Sequence, residues 1–220
     1  MSTSSIFLTK HMEELLTMKV IVKWHNDMWQ EIKDDALFTI HKNNGKYPTE
    51  KWKKSILAAE HSPIRTGRLI IECYDVESYI ISHLVRHNLG FTPFVASLRP
   101  DRAEYDTVPD RNTLNNVRFD GNFQSFINIS RKRECYQASE GTRRFWKEVM
   151  KAVAEFEPEL FWACIPECIY RGGCPEMKTC ETALFGKFLR WCMDNGGANQ
   201  IFNIHKRYDL WMKYKEESGE

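Results

Sequence analysis

The sequence predicts an α+β fold in which helices pack on a small, mostly antiparallel sheet. Segment 18–24 (MKVIVKW) mixes β-branched and alternating residues and predicts a strand, and segment 67–74 (GRLIIECY) predicts a second strand. Segment 139–156 carries an apolar stripe through Phe145, Val149 and Val153, which predicts an amphipathic helix. The 220 residues can form one core, so we expect a single domain over 1–220.

Helical spacing and capping residues predict the remaining elements. We expect Asp75 to be the N-cap of a helix that ends with Arg86 and His87, and Ser139 to cap the helix that follows it. Residues 90–116 are rich in Pro, Asp and Asn and predict an irregular segment. Helices are further predicted within segments 30–42, 45–63 (ending near Pro63), 75–87, 122–138 and 159–180, and from 202 onward, and residues from about 195 form a candidate mobile tail.

The composition excludes several classes of protein. The 31 basic and 30 acidic residues leave a net charge of +1, which gives no basic face for duplex nucleic acid. No apolar run is long enough to span a membrane, and the N-terminus does not have the pattern of a secretory signal. Because seven cysteines cannot all pair, we expect a reduced, cytoplasmic setting.

A Cys-rich segment at 164–180 raises the question of a metal site. Cys164, Cys168, Cys174 and Cys180 have the spacings C-x3-C, C-x5-C and C-x5-C, whereas strong zinc motifs use paired C-x2-C units. Cys164 lies within an apolar helix, where a packing role is expected. We therefore predict no metal, although a structural zinc site stays open as an alternative.

The predicted helix at 122–138 combines cations with apolar neighbours. Arg131 and Arg133 stand beside Ile127 and Ile129, so the helix is expected to be largely buried. A buried Arg needs an anionic or polarisable partner, and no acid lies one turn upstream. The partner is therefore a ligand or an acid from elsewhere in the fold. The amides of Asn122 and Asn128 suit a heterocycle with mixed donors and acceptors.

Four segments, in order, resemble the flavin-dependent thymidylate synthases. AEHSPIR (59–65) resembles the H-x-[ST]-P segment of that family, and RHNLGFTPFVASLR (86–99) resembles its signature R-H-R-x-x-S-x-N-E-x-S-x-R. The helix at 121–140 resembles the one that carries flavin-contacting Asn residues and a substrate Arg, and 164–180 resembles a Cys-rich segment of some members. In the signature, Asn88 replaces the second Arg, the inner Ser, Asn and Glu are absent, and one extra residue is needed to align Ser97 and Arg99.

The resemblance implies reductive methylation of dUMP to dTMP, with methylenetetrahydrofolate as carbon donor, FAD as hydride carrier and NADPH as reductant. It implies a catalytic Arg133 beside the uracil carbonyl and a homotetramer with active sites shared between subunits. Replacement of the signature's centre keeps two alternatives open, a flavin-dependent enzyme with another one-carbon outcome such as hydroxymethylation and a non-catalytic nucleotide or flavin binder. The implied substrate-binding residues are His83, Arg86, Ser97, Arg99 and Arg133, and the implied cofactor-binding residues are His61, Ser62, Arg86, His87, Asn88, Asn122 and Asn128.

Overall fold

A computed structural model describes residues 18–43, 45–102 and 108–219. Four antiparallel strands form one sheet in the order β1-β2-β4-β3, so β3 is an edge strand. The strands are β1 (Lys19–His25), β2 (Arg68–Glu77), β3 (Phe91–Val95) and β4 (Leu114–Asn122). With helices packed on this sheet, the predicted α+β class is confirmed.

The described residues contain nine α-helices, and a short 3-10 helix (Ser62–Arg65) leads into β2. Within the predicted segment at 159–180, the chain forms two short helices separated by Cys164, Ile165 and Pro166. The helices are α1 (Trp29–Phe38), α2 (Glu50–Ala58), α3 (Ser78–Leu84), α4 (Phe123–Arg133), α5 (Glu140–Ala154), α6 (Pro158–Ala163), α7 (Glu167–Arg171), α8 (Leu184–Asp194) and α9 (Ile204–Ser218).

The prediction of an irregular segment at 90–116 is wrong, because it contains β3 and the start of β4. Asn and Pro disfavour strands, yet Val117 and Phe119 alternate on the buried face of β4 and decide its conformation. The N-cap prediction at Asp75 is also wrong. Asp75 belongs to β2, where it has a φ of 57°, and Glu77 precedes α3.

The core lies between the sheet and helices α4 and α5. Phe126 of α4 stacks on Trp146 of α5 and meets Phe91 of β3 edge to face. The predicted stripe on α5 is buried, and Ser139 is its N-cap residue, although the Ser139 hydroxyl contacts Thr142 Oγ1 rather than a backbone N–H. These contacts fix the position of α4, which carries Arg133 at its C-terminal end.

The C-terminal helices α8 and α9 pack against α7, and α9 also contacts α2 and α6. Helix α9 begins at Ile204, with the Asn203 side chain as its cap, and buries Tyr208, Trp211 and Tyr214. Part of the segment predicted as a candidate mobile tail thus contributes aromatic side chains to the core. No helix in the described ranges is long and apolar enough to cross a membrane.

Candidate active site

Arg133 joins the end of α4 to the end of α3. Its Nε donates to His87 Nε2 over 3.1 Å, and its Nη2 lies 2.6 Å from the same nitrogen. Nη2 also donates to the backbone carbonyl oxygen of His83 over 2.8 Å. The two donors of one planar guanidinium therefore orient it against both histidines, a geometry that Lys cannot reproduce.

The His87 imidazole accepts hydrogen bonds at Nε2, so its neutral form carries the proton on Nδ1. Burial, followed by the charges of Arg133 and Lys132, lowers the pKa of His87 to about 4. The backbone fixes the ring as well, because His87 N–H donates to the carbonyl of Leu84 over 2.9 Å at the end of α3. His87 is thus a neutral acceptor at physiological pH.

We predict that His87 titrates near pH 4 rather than at the usual 6.5. The folded protein binds this proton more weakly than the unfolded chain, so this group makes stability fall as the pH drops from about 6.5 towards 4. NMR titration of the His ring protons, with His87→Ala to identify the resonance, measures the pKa. Arg133→Ala should raise it. An apparent pKa near 6.5 in the wild type would contradict this geometry.

Further cationic side chains lie around Arg133 and His87. Burial and the charge of Arg86 lower the pKa of Arg133, and burial with the charges of Arg133, Arg86 and Arg111 lowers the pKa of His83. His83 Nδ1 lies 3.0 Å from Thr142 Oγ1 on α5, which fixes its ring. Among the residues that the structure describes, no carboxylate lies within salt-bridge distance of these three arginines. Such a cluster is suited to binding an anion or a developing negative charge.

Asn122 connects this cluster to the sheet. Its Oδ1 accepts from Ser125 N–H over 2.9 Å and caps α4, and its Nδ2 has no hydrogen-bond acceptor among the described residues. Asn122 N–H donates to the carbonyl of Gly90, whose φ of 69° turns the chain from His87 into β3. A Cβ at Gly90 would lie 2.5 Å from Asn122 Nδ2, so Gly90 allows the two segments to approach.

The other residues implied to bind flavin lie on exposed surface near α4. Asn128 is exposed, and its Oδ1 accepts from Gln124 Nε2 over 3.2 Å. Gln124 Nε2 also donates to Glu60, the residue before His61. His61 and Ser62 are exposed at the start of the 3-10 helix, and Asn88 is exposed beside His87.

The buried Arg131 has the acidic partner that the sequence analysis expected. Both of its terminal nitrogens donate to the carboxylate of Glu60, and its guanidinium lies 3.5 Å from the ring centroid of Tyr170. Burial alone would raise the pKa of Glu60, but the hydrogen bonds and charge of Arg131 outweigh it and hold that pKa below its usual value. The acid comes from elsewhere in the fold, so Arg131 is structural, whereas Arg133 has no acidic partner in the part of the chain that the structure describes.

Ser97 and Arg99 lie beyond the opposite end of β3 from Arg86 and His87. Strand β3 spans five residues, and a rise of about 3.3 Å per residue separates its ends by about 13 Å. Arg99 is exposed and donates from Nε and Nη2 to Asp101 over 2.9 and 2.7 Å, while its N–H donates to Ser97 Oγ. Within one chain, the structure therefore does not bring Ser97 and Arg99 next to Arg133.

Four of the seven cysteines form a separate group, because Cys135, Cys168, Cys174 and Cys180 line one largely apolar cavity. Cys164 is buried in the core, as predicted, but it lies between α6 and α7 and not within a helix. Thr182 Oγ1 donates to Cys180 Sγ over 3.2 Å. Across the described ranges, no three His, Cys, Asp or Glu side chains are arranged to hold a metal ion.

Three contributors to this region were not identified from the sequence. Thr142 orients His83, Arg111 adds positive charge, and Glu60 neutralises Arg131. The burial expected for Arg131 did signal that an acid was needed, but it could not show which one. Thr142 and Arg111 gave no signal, because their contacts depend on how α5 and β4 pack against α3.

The four-stranded antiparallel sheet with its packed helices is similar to a known class, the fold of the flavin-dependent thymidylate synthases. The flavin-dependent thymidylate synthase of Helicobacter pylori, complexed with FAD and dUMP, is similar over 67% of this chain and 99% of its own, with 13% identity and a TM-score of 0.53. A second structure of that enzyme with FAD and dUMP gives the same coverage and identity and a TM-score of 0.54.

A UMP/dUMP methylase from Streptomyces cacaoi, bound with 5-Br dUMP, is also similar. It matches over 66% of this chain and 94% of its own, with 10% identity and a TM-score of 0.54. No protein-family model matches the chain, and no curated protein matches it in sequence. At these identities the likeness establishes the fold, and at that level the resemblance predicted from the sequence is confirmed.

Proposed function

We propose that this protein is a flavin-dependent enzyme that methylates dUMP to dTMP, with methylenetetrahydrofolate as carbon donor and NADPH as reductant. The observation that carries the proposal is the cluster of Arg86, Arg111 and Arg133 around His83 and His87, with no carboxylate in salt-bridge distance among the described residues. Structural neighbours that bind dUMP and FAD, or methylate UMP and dUMP, support the same reading.

Arg133 is the proposed catalytic residue. Its guanidinium is oriented by His87 and the His83 carbonyl, and its approach to the uracil carbonyl would stabilise negative charge as C5 becomes nucleophilic. The His83 and Arg86 side chains would hold the nucleotide beside it. Because His87 is neutral, it positions the Arg133 cation without adding a competing charge.

FAD would lie against Arg86, His87, Asn88 and the α4 surface. The exposed Asn128 amide, the Nδ2 of Asn122 and the exposed His61 and Ser62 offer donors and acceptors of the kind an isoalloxazine ring uses. When bound, the flavin supplies the hydride, so the chain needs no activated nucleophile. The high pKa values of the buried Cys164 and Cys168, each about 12, suit this assignment, because neither forms a thiolate readily.

A shared site in a homo-oligomer would bring the two ends of the signature together. In one chain, β3 separates Arg86 and His87 from Ser97 and Arg99. Edge strand β3 and its flanks expose Leu89, Phe94 and Val95, at 86, 54 and 45% of their surfaces. An edge strand with exposed apolar side chains favours pairing with another copy. We propose that Ser97 and Arg99 contact the nucleotide phosphate in a neighbouring copy's site, within a homotetramer.

This assignment predicts that Arg99→Ala raises the KM for dUMP and changes kcat less, because substrate and transition state share the phosphate contact. The expected loss in binding is about 1.5–3 kcal/mol, the scale of a hydrogen bond to a charged group. Deoxyuridine, which lacks the phosphate, is the control and should bind wild type and variant equally weakly. If Arg99→Ala distinguished dUMP from deoxyuridine as strongly as wild type, the phosphate assignment would be wrong.

The experiment that tests the cofactor is a flavin titration. FAD added to purified protein should lose fluorescence on binding, and dUMP should then shift its absorption bands, because the two ligands would be in contact. Asn128→Ala should weaken FAD binding, and Lys151→Ala, a surface substitution at the end of α5, should not. Failure of wild type to bind FAD would overturn the proposed function, and FAD binding without a response to dUMP would favour a flavin binder of another kind.

A further inference from the structure

A cavity of about 200 Å³ lies between the C-terminal end of α4, helix α5 and helix α9. Four cationic side chains line it: Arg143, Arg144, Lys147 and Lys215. Arg133, His83 and His87 do not contribute to it, so it is separate from the candidate active site.

The acids at this cavity do not account for all of its cations. Glu134 lines it, and Lys215 Nζ lies 3.7 Å from Glu134 Oε2. Burial raises the pKa of this carboxyl, against the charges of Lys215 and Lys147. Arg144 Nη2 lies 3.3 Å from Glu140, an exposed residue that does not line the cavity. Even with both Glu134 and Glu140 counted against the four cations, a surplus of two positive charges remains.

Two buried donors at the cavity have no acceptor. Trp211 lines the cavity and is 2% exposed, and its indole Nε1–H makes no hydrogen bond within the described ranges. The Nε–H of Arg144 is buried and unpaired in the same way. A buried donor without a partner is unfavourable and uncommon in native proteins, and an external acceptor is one way to satisfy it.

We propose that this cavity binds a small phosphate-bearing ligand. A phosphate oxygen can accept from the Trp211 indole and the Arg144 guanidinium, and a dianion balances the surplus of two positive charges. The apolar surfaces of Pro166, Leu184 and Trp211 also line the cavity and would contact the organic part of a phosphate ester. This site is independent of the proposed dUMP site, since none of the residues assigned to that site lines it.

Inorganic phosphate is the probe, titrated by calorimetry and thermal unfolding at constant ionic strength with chloride as the reference anion. We expect phosphate to bind and to raise the Tm of the wild type. We expect Lys147→Ala and Trp211→Phe each to raise the Kd for phosphate at least about ten-fold, the scale of one lost charged hydrogen bond. Trp211→Phe removes the indole donor and keeps an aromatic ring in the core. Lys147 is exposed, so Lys147→Ala provides a test that does not depend on the core.

Lys213→Ala is the matched control, because Lys213 is also on α9 but is 59% exposed and lies 3.7 Å from Glu217, outside the cavity. It should leave the Kd unchanged. No stabilisation by phosphate beyond that of chloride would overturn the proposal, as would equal weakening in Lys213→Ala. Loss of phosphate binding in Arg133→Ala would assign the anion to the candidate active site instead and would equally overturn it.

Discussion

Arg133→Ala should lower kcat for dUMP by about 10²–10³-fold, the usual effect of removing one preorganised group that stabilises developing charge. The Arg133 guanidinium is fixed by His87 Nε2 at 3.1 Å and the His83 carbonyl at 2.8 Å, so it needs no reorganisation as charge develops. The KM for dUMP should change less, because the contact strengthens in the transition state. Steady-state kinetics on FAD-saturated enzyme measures both constants.

Arg133→Lys should recover little of this loss. One ammonium group cannot donate to His87 and the His83 carbonyl while presenting a planar edge to the uracil. Lys132→Ala is the control, because it removes the next cation on α4, whose side chain is 50% exposed and lies 3.9 Å from Glu176. Its kcat should stay close to that of wild type. A kcat for Arg133→Ala within a few-fold of wild type would remove Arg133 from its catalytic role.

The second large effect is on stability. The side chains of Arg131 and Glu60 are only 8 and 20% exposed and form an ion pair. Removing one partner of a buried pair leaves an uncompensated charge, which typically costs about 3–5 kcal/mol. Arg131→Met should therefore lower the free energy of unfolding by about that amount in urea denaturation. Adding Glu60→Gln to Arg131→Met should recover much of it, since no buried charge then remains.

Lys151→Ala serves as the comparison for this pair. Its contact with Glu148 is at the surface, where the side chains are 60 and 45% exposed, so its loss should cost less than about 1 kcal/mol. The pKa of Glu60 is lower in the folded protein than in the unfolded chain, where it is near 4.3. The ion pair therefore stabilises the fold fully above the unfolded-state pKa, and this stabilisation is lost as the pH falls through the folded-state pKa. A loss below about 1 kcal/mol in Arg131→Met would show that the pair is not a determinant of stability.

The pattern of residues along the sequence predicted those elements in which the apolar residues are also the buried ones. Strand-forming residues identified β1 and β2, and the stripe through Phe145 and Val149 identified α5. Strand β4 was missed because its Asn and Asp residues resemble those of a turn, although Val117 and Phe119 on its buried face decide its conformation. Long-range packing determines the conformation of β4, so local propensity could not predict this strand.

The candidate site was predictable in chemistry but not in geometry. The burial of the helix at 122–138 indicated that its arginines need partners, yet only the fold separates Arg131, which pairs with Glu60, from Arg133, which contacts His87. The resemblance put Arg86, His87, Ser97 and Arg99 in one signature segment. The structure adds a strand between the two pairs, a feature that Pro93 in the middle of the segment did not suggest.

The most direct test of the proposed function is conversion of dUMP by the purified protein with FAD, methylenetetrahydrofolate and NADPH, with products identified by mass spectrometry. We predict dTMP, heavier than dUMP by one CH₂ unit, at a rate that requires all three additions and falls sharply in Arg133→Ala. A hydroxymethylated product would keep a flavin-dependent nucleotide-modifying enzyme but contradict methylation. Absence of any modified dUMP from protein that demonstrably binds both FAD and dUMP would contradict the enzymatic proposal and leave a binding protein.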